Sequence, residues 1–231
     1  IGGDFTTVSG SAANRLARMN ANGTLDTAGF AGLGTGPDAP VRALAVEADG
    51  KIIIGGDFAS VNGTAISRVA RLDTFGALDK TSFAQFGTGA DNSVNSLTIQ
   101  GDGRIVIAGS FATVNGVSRN GVARLNTDGS VDTATFNALG TGANGPVLSL
   151  AIQPDGKLVV GGQFTAINGT PRNRVARLNP DGLLDSTFNP GTGANGNVNA
   201  LSLQTDGQVM VGGQFTSFDG STYARLVRLL G

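Results

Sequence analysis

The sequence predicts an all-β fold built from five repeats, and three observations carry that expectation. First, the phrase "KIIIGGDF" at 51–58 returns as "IGGDF" at 1–5, "RIVIAGSF" at 104–111, "KLVVGGQF" at 157–164 and "QVMVGGQF" at 208–215. Its closing phenylalanines, Phe5, Phe58, Phe111, Phe164 and Phe215, are 53 residues apart three times and 51 the last time. Periodicity of this length marks stacked structural units. Second, Glu47 is the only glutamate among 17 acidic residues, while glycine reaches 37. Aspartate and glycine build turns and glutamate suits helix surfaces, so the balance favours short strands joined by tight turns. Third, the apolar residues of the recurring phrase are consecutive, as in a strand covered on both faces.

The elements of one unit follow in order. "VRALAVE" at 41–47 reads as the first strand, and Asp49-Gly50 as a tight two-residue turn with positive φ. "KIIIGGDF" is the second strand, whose glycine pair admits a close neighbour at some cost in strand stability. A loop holding Asn62-Gly63 leads to the third strand, "RVARLD" at 68–73. Gly76 turns the chain into a short outer strand around "ALDKTSF" at 77–83, and a Gly-Thr-Gly loop at 87–89 leads onward. Each unit is thus expected to be a four-stranded antiparallel meander.

Such a meander cannot hide two apolar faces by itself. Radial stacking of four-stranded sheets hides both, and the result is a β-propeller. The repeats fall at about 1–40, 41–93, 94–146, 147–197 and 198–231, within one domain spanning 1–231. They supply 18 strands, against 16 for four blades and 20 for five. Five blades with an incomplete first and last blade, or a piece of a longer propeller, are the expectation.

The segment "QPDGKLVVGGQFTAINGTPRNRVARLNPDGLLDSTFNPGTGANG" at 153–196 resembles the unit of the delta-sixty repeat β-propellers, which are bacterial and mostly secreted or surface-attached. The resemblance runs through essentially the whole chain. Unit one departs from it with "SGSAAN" at 9–14, and unit five stops before its outer strand. The resemblance implies an extracellular propeller and transfers no catalytic residue.

Composition narrows the function. Net charge is −1 with the signs interspersed, so the basic footprint of a nucleic-acid binder is missing. No apolar run is long enough to span a bilayer. The absence of cysteine removes thiol chemistry and disulfides, and the absence of histidine removes the commonest general base and transition-metal ligand. No cofactor and no metal are expected.

One polar series recurs: Arg18 and Asp26, Arg71 and Asp79, Arg124 and Asp132, Arg177 and Asp185. A ring of charge pairs for anionic ligands is one reading. Repetition in four units favours the other, a structural staple within each blade. "NTDGSVD" at 126–132 and "NPDGLLD" at 179–185 echo a calcium loop but lack its ligand spacing and terminal glutamate. "NGT" at 22–24, 62–64 and 168–170 matches a glycosylation acceptor and equally a turn. Asp38 and Asp91 read as acids outside the repeat, with no convergence into a catalytic pair.

A noncatalytic surface module for adhesion or assembly is therefore the leading expectation. Its ligand face would carry Thr6, Asn62, Thr88, Asn115, Thr141, Asn168 and Thr192 on loops that meet a protein or glycan partner. A weak multivalent lectin is the alternative, although the chain has no tryptophan and one tyrosine. A calcium-dependent or hydrolytic propeller ranks third. Open edges on the terminal blades are candidates for self-association.

Overall fold

The computed structural model describes residues 1–230, so the final residue of the fifth repeat, Gly231, lies outside the described residues. Four three-stranded antiparallel sheets follow one another along the chain. In blade 2 the first (inner), second (middle) and third strands are Val41–Val46, Ile52–Gly56 and Val69–Leu72. Blade 3 has Val94–Ile99, Ile105–Gly109 and Val122–Leu125, and blade 4 has Val147–Ile152, Leu158–Gly162 and Val175–Leu178. Blade 5 has Val198–Leu203, Val209–Gly213 and Leu226–Leu229. Blade 1 keeps single bridges at Gly2 with Leu16 and at Met19 with Leu25.

The fourth strand of the expected meander is reduced to one bridge per blade, Leu72 with Leu78, Leu125 with Val131 and Leu178 with Leu184. Its next polar residue, an aspartate, turns to the arginine of the third strand, and the chain leaves the ladder there. An unexpected element makes up for it. Between the second and third strands lies a lateral two-residue hairpin, as at Ser60–Val61 with Thr64–Ala65. Asn62 and Gly63 form its turn with φ of 49° and 70°, the pairing of positive values that a two-residue hairpin requires. Ser9-Gly10 and Asp219-Gly220 adopt the same conformation in the outlying units.

The Asp-Gly turn differs from expectation. Glu47 N–H donates to Lys51 O at 2.8 Å and Gly50 N–H to Glu47 O at 2.9 Å, so the loop holds three residues and only Gly50 has positive φ. Asp49 instead accepts the Lys51 N–H through its carboxylate at 3.1 Å. Asp102, Asp155 and Asp206 repeat that bond with the residue two positions on.

The cores lie between blades rather than within them. One contains Val106 and Val122 of blade 3 with Leu158, Val160 and Phe164 of blade 4. Others join blades 1 and 2, 2 and 3, and 4 and 5. Glycine in the middle strand makes the approach close: a Cβ on Gly55 would lie 2.8 Å from Val94 Cγ1, and one on Gly161 would lie 2.5 Å from Val198 Cγ1. At the equivalent Gly212 the nearest atoms are 4.0 Å away and belong to its own sheet. Inner strands pack in sequence, 41–46 on 94–99, 94–99 on 147–152, and 147–152 on 198–203. Among the described residues the far face of blade 5 receives no further blade, and Leu226 is 55% exposed there.

Candidate functional site

Two constellations repeat around the blades: the arginine–aspartate pairs and the loop face. In each pair the arginine Nε donates to the aspartate Oδ2, at 2.9 Å for Arg18 and Asp26, 3.1 Å for Arg71 and Asp79, 3.0 Å for Arg124 and Asp132, and 2.9 Å for Arg177 and Asp185. Each guanidinium also lies 4.8 to 5.0 Å from the ring centre of Phe30, Phe83, Phe136 or Phe188. Among the described residues Arg18, Arg71 and Arg124 reach the next blade as well, donating through Nη1 to the carbonyls of Thr74, Thr127 and Pro180.

The aspartates are held ionised. Burial works to raise Asp79, yet hydrogen bonds from the Ser82 hydroxyl and N–H, the Thr81 N–H and the charge of Arg71 bring it down to about 2. Asp132 and Asp185 are likewise lowered against burial, by Thr135 and Arg124 in one case and by Thr187, Arg177 and Lys157 in the other. Arg71, Arg124 and Arg177 are buried, so their donors are spent inside the protein. Glu47 reads as an isolated oddity in sequence but occupies the repeat position of Gln100 and Gln153, which accept from Arg124 and Arg177 at 3.4 Å. Its carboxylate is 3.5 Å from Arg71 Nη1, and burial pushes its pKa up against that attraction.

On the loop face the asparagines and threonines come together but divide their roles. Asn62 Oδ1 accepts the Thr35 N–H at 3.1 Å, Asn115 Oδ1 the Gly89 N–H at 2.9 Å, and Asn168 Oδ1 the Gly142 N–H at 2.8 Å. Asp219 does the same for Thr192 at 2.9 Å. These side chains are therefore committed to the Gly-Thr-Gly loop of the preceding unit. From the other side Asn14, Asn120 and Asn173 donate to the carbonyls of Thr35, Thr141 and Thr192 at 3.0, 2.7 and 2.8 Å. Thr35, Thr88, Thr141 and Thr192 are left exposed on loops pinned at their backbones. Thr6 is exposed too, at the start of a lateral hairpin, where its carbonyl accepts the Ala13 N–H at 3.0 Å.

Thr35 and Asp219 are absent from the sequence-derived face, although "GTG" at 34–36 carried the signal for the first. Asp38 and Asp91 require correction: they are repeat positions shared with Asn144 and Asn195. Asp38 Oδ1 accepts the Ala59 and Ser60 N–H groups at 2.9 and 3.1 Å, and Asn144 Oδ1 those of Thr165 and Ala166 at 2.8 and 3.0 Å. The carboxylate or amide oxygen caps the lateral hairpin in units 2 to 5, a role that aspartate and asparagine fill equally. Asp128 and Asp181, from the calcium-like phrases, accept the N–H groups of Ser130 and Leu183 within their own turns.

Each inner strand is bulged at its second residue, which shifts the register between Val41 and Ala43, Val94 and Ser96, Val147 and Ser149, and Val198 and Ala200. Three of the bulged residues, Arg42, Asn95 and Leu148, line an axial cavity of about 440 Å³ with Gly2, Gly3 and Asp4. Arg42 is held at its edge by a bidentate bond to Asp57, at 2.8 and 2.6 Å.

Antiparallel blades that share their cores and bind one another through arginine define a β-propeller module. The chain belongs to the family described as "Domain of unknown function (DUF5122) beta-propeller", whose model matches residues 1–28, 47–81, 100–134, 153–188 and 204–231. No curated protein sequence matches it. Among solved structures it is similar to the WD40 β-propeller domain of Doa1, with a TM-score of 0.52 and 16% identity over 83% of this chain and 50% of that one. Virginiamycin B lyase from Staphylococcus aureus gives a TM-score of 0.45 and 18% identity over 77% of this chain and 48% of that one. PorZ, a bacterial surface component of the type-IX secretion system of Porphyromonas gingivalis, gives 0.46 and 14% over 94% of this chain and 30% of that one. The chain thus spans half or less of the length of these three structures.

Proposed function

We propose that this chain is a noncatalytic interaction module of a secreted or surface-attached bacterial protein, binding a partner across its loop face. The observation that carries the reading is the row of exposed threonines, Thr35, Thr88, Thr141 and Thr192, presented by loops whose backbones are pinned by side chains of neighbouring segments. A row of fixed hydroxyls loses little entropy on binding, and weak contacts repeated at a regular interval add through multivalency. The extracellular setting rests on the likeness of the repeat to the delta-sixty repeat β-propellers.

The test is a quadruple Thr→Ala variant at 35, 88, 141 and 192, assayed for retention on bacterial cell envelopes and on a glycan array. Unchanged melting with lost retention supports the reading, and a competable array signal lost in the variant makes the partner a glycan. Retention unaffected by the four substitutions refutes it. Turnover of a polysaccharide, abolished by substitution of one aspartate, would replace it with a hydrolytic function.

A further inference from the structure

The repeats are not equivalent just before the third strand. Arg15, Arg68, Arg174 and Arg225 stand there in units 1, 2, 4 and 5, and Gly121 stands there in unit 3. All five have positive φ, between 63° and 76°, a conformation that costs a non-glycine residue free energy. The arginine side chains reach backbone carbonyls of the loop face. Arg174 Nη1 donates to Ala194 O at 2.9 Å, Arg68 Nη1 to Phe58 O at 3.2 Å and Arg225 Nη1 to Gln214 O at 3.4 Å, while Arg15 Nε lies 3.5 Å from Asp4.

With no side chain at Gly121, blades 3 and 4 leave a cavity of about 190 Å³ between them. The unit 3 equivalents of those three acceptors are Ala143, Phe111 and Ser110, and all three line it. Among the described residues no hydrogen bond reaches the Ala143 carbonyl. The Phe111 carbonyl accepts the Gly121 N–H at 2.9 Å, and Phe58 O shows that this oxygen takes a second donor, since it holds both the N–H and Nη1 of Arg68. Ala112 and Asn144 also line the cavity and are exposed, so it opens to solvent. Blade 2 packs on blade 3 and blade 5 on blade 4, so its walls are those of a complete interface. A guanidinium, planar and rich in donors, suits a site whose counterparts hold that group through carbonyls alone in three sister units.

We infer that this cavity is a pocket of the loop face for the guanidinium of an arginine side chain on a partner protein, which fills the place that Arg174 fills in blade 4. The pocket adjoins the threonine row, because Asn120 in its wall donates to Thr141 O at 2.7 Å. The inference therefore rests on the reading of that face as the binding surface, and it makes the partner a protein.

The experiment titrates acetyl-Gly-Arg-Gly-amide into the isotope-labelled chain and follows amide shifts by NMR. Saturable shifts at Ala112, Gly121 and Asn144, with half-saturation on the order of 1 mM, are expected. The citrulline peptide, which turns an oxygen towards the carbonyls in place of one amino group, should bind at least about tenfold more weakly. Gly121→Arg installs the residue of the sister units and should abolish the shifts and lower retention on cell envelopes. A Cβ at 121 would lie 3.0 Å from Val147 Cγ2, so Ala112→Tyr, which covers the mouth from an exposed position, provides a second block. Absence of saturable shifts up to about 10 mM peptide, equal shifts from the citrulline peptide, or shifts that persist in both blocked variants overturn the pocket and leave the threonine reading standing. Threonine substitutions without effect on retention refute that reading instead, and the peptide titration still decides the pocket by itself.

Discussion

Arg124 of blade 3 donates from Nη1 to the carbonyl oxygen of Pro180 in blade 4, at 2.9 Å. The same arginine holds Asp132 within its own blade and lies 4.9 Å from the Phe136 ring centre. One side chain thus ties a third strand to its outer edge and both to the turn of the neighbouring blade. In blade 4 the Arg177 Nη1 meets Gln153 Oε1 at 3.4 Å.

Replacing this residue tests the tie. Arg124→Lys keeps the charge but loses the planar fork that reaches aspartate, ring and carbonyl together. Urea unfolding is expected to show a loss of up to about 3–5 kcal/mol, the range for breaking a buried pair. Arg228→Ala, at the equivalent exposed position of blade 5, should change stability by less than about 0.5 kcal/mol.

The aspartates of the pairs predict acid sensitivity. Their folded-state pKa values lie below the ordinary carboxylate value of about 4, so protonation is resisted in the native protein more than in the unfolded chain. Their contribution is complete above about pH 4 and disappears as pH falls towards about 2. Urea midpoints measured at pH 7, 4 and 2.5 should fall mainly across the last interval, and Asp79→Asn should flatten that fall.

Glu47 works in the opposite direction. Burial raises its pKa, so its ionised form is disfavoured by folding. Glu47→Gln installs the residue found at 100 and 153 and should raise the melting temperature at pH 7 by about 2 °C. The penalty builds as pH rises past the ordinary glutamate value and is full above the folded pKa, so the difference between variant and parent should vanish only on acidification below about pH 4.

Two glycines separate a filled interface from an open one. Gly161→Ala places a Cβ 2.5 Å from Val198 Cγ1 and should cost about 1–3 kcal/mol as blades 4 and 5 are forced apart. Gly212→Ala meets nothing closer than 4.0 Å, and its effect should stay within about 0.5 kcal/mol. Equal losses in calorimetry would mean that the Gly212 face is covered in solution, and light scattering would then show whether a second copy covers it.

Much of this architecture was legible because its signals are local. Consecutive apolar residues such as Ile52–Ile54 declare a strand covered on both faces, and Asn62-Gly63 declares a turn with positive φ. Assigning the two-residue turn to Asp49-Gly50 failed because the same dipeptide also serves a three-residue loop, and the choice depends on strand register. The fourth strand is present but shorter than expected: one bridge, Leu72 with Leu78, flanked by the Asp73 N–H bond to Ala77 O and the Asp79 N–H bond to Arg71 O.

The repeat, the antiparallel units and the arginine–aspartate series eight residues apart are all written in the order of residues. What those side chains serve depends on how the blades pack. Asn115 meets Gly89 across 26 positions and Arg71 meets Thr127 across 56, so both partners belong to other segments that arrive only when blades pack.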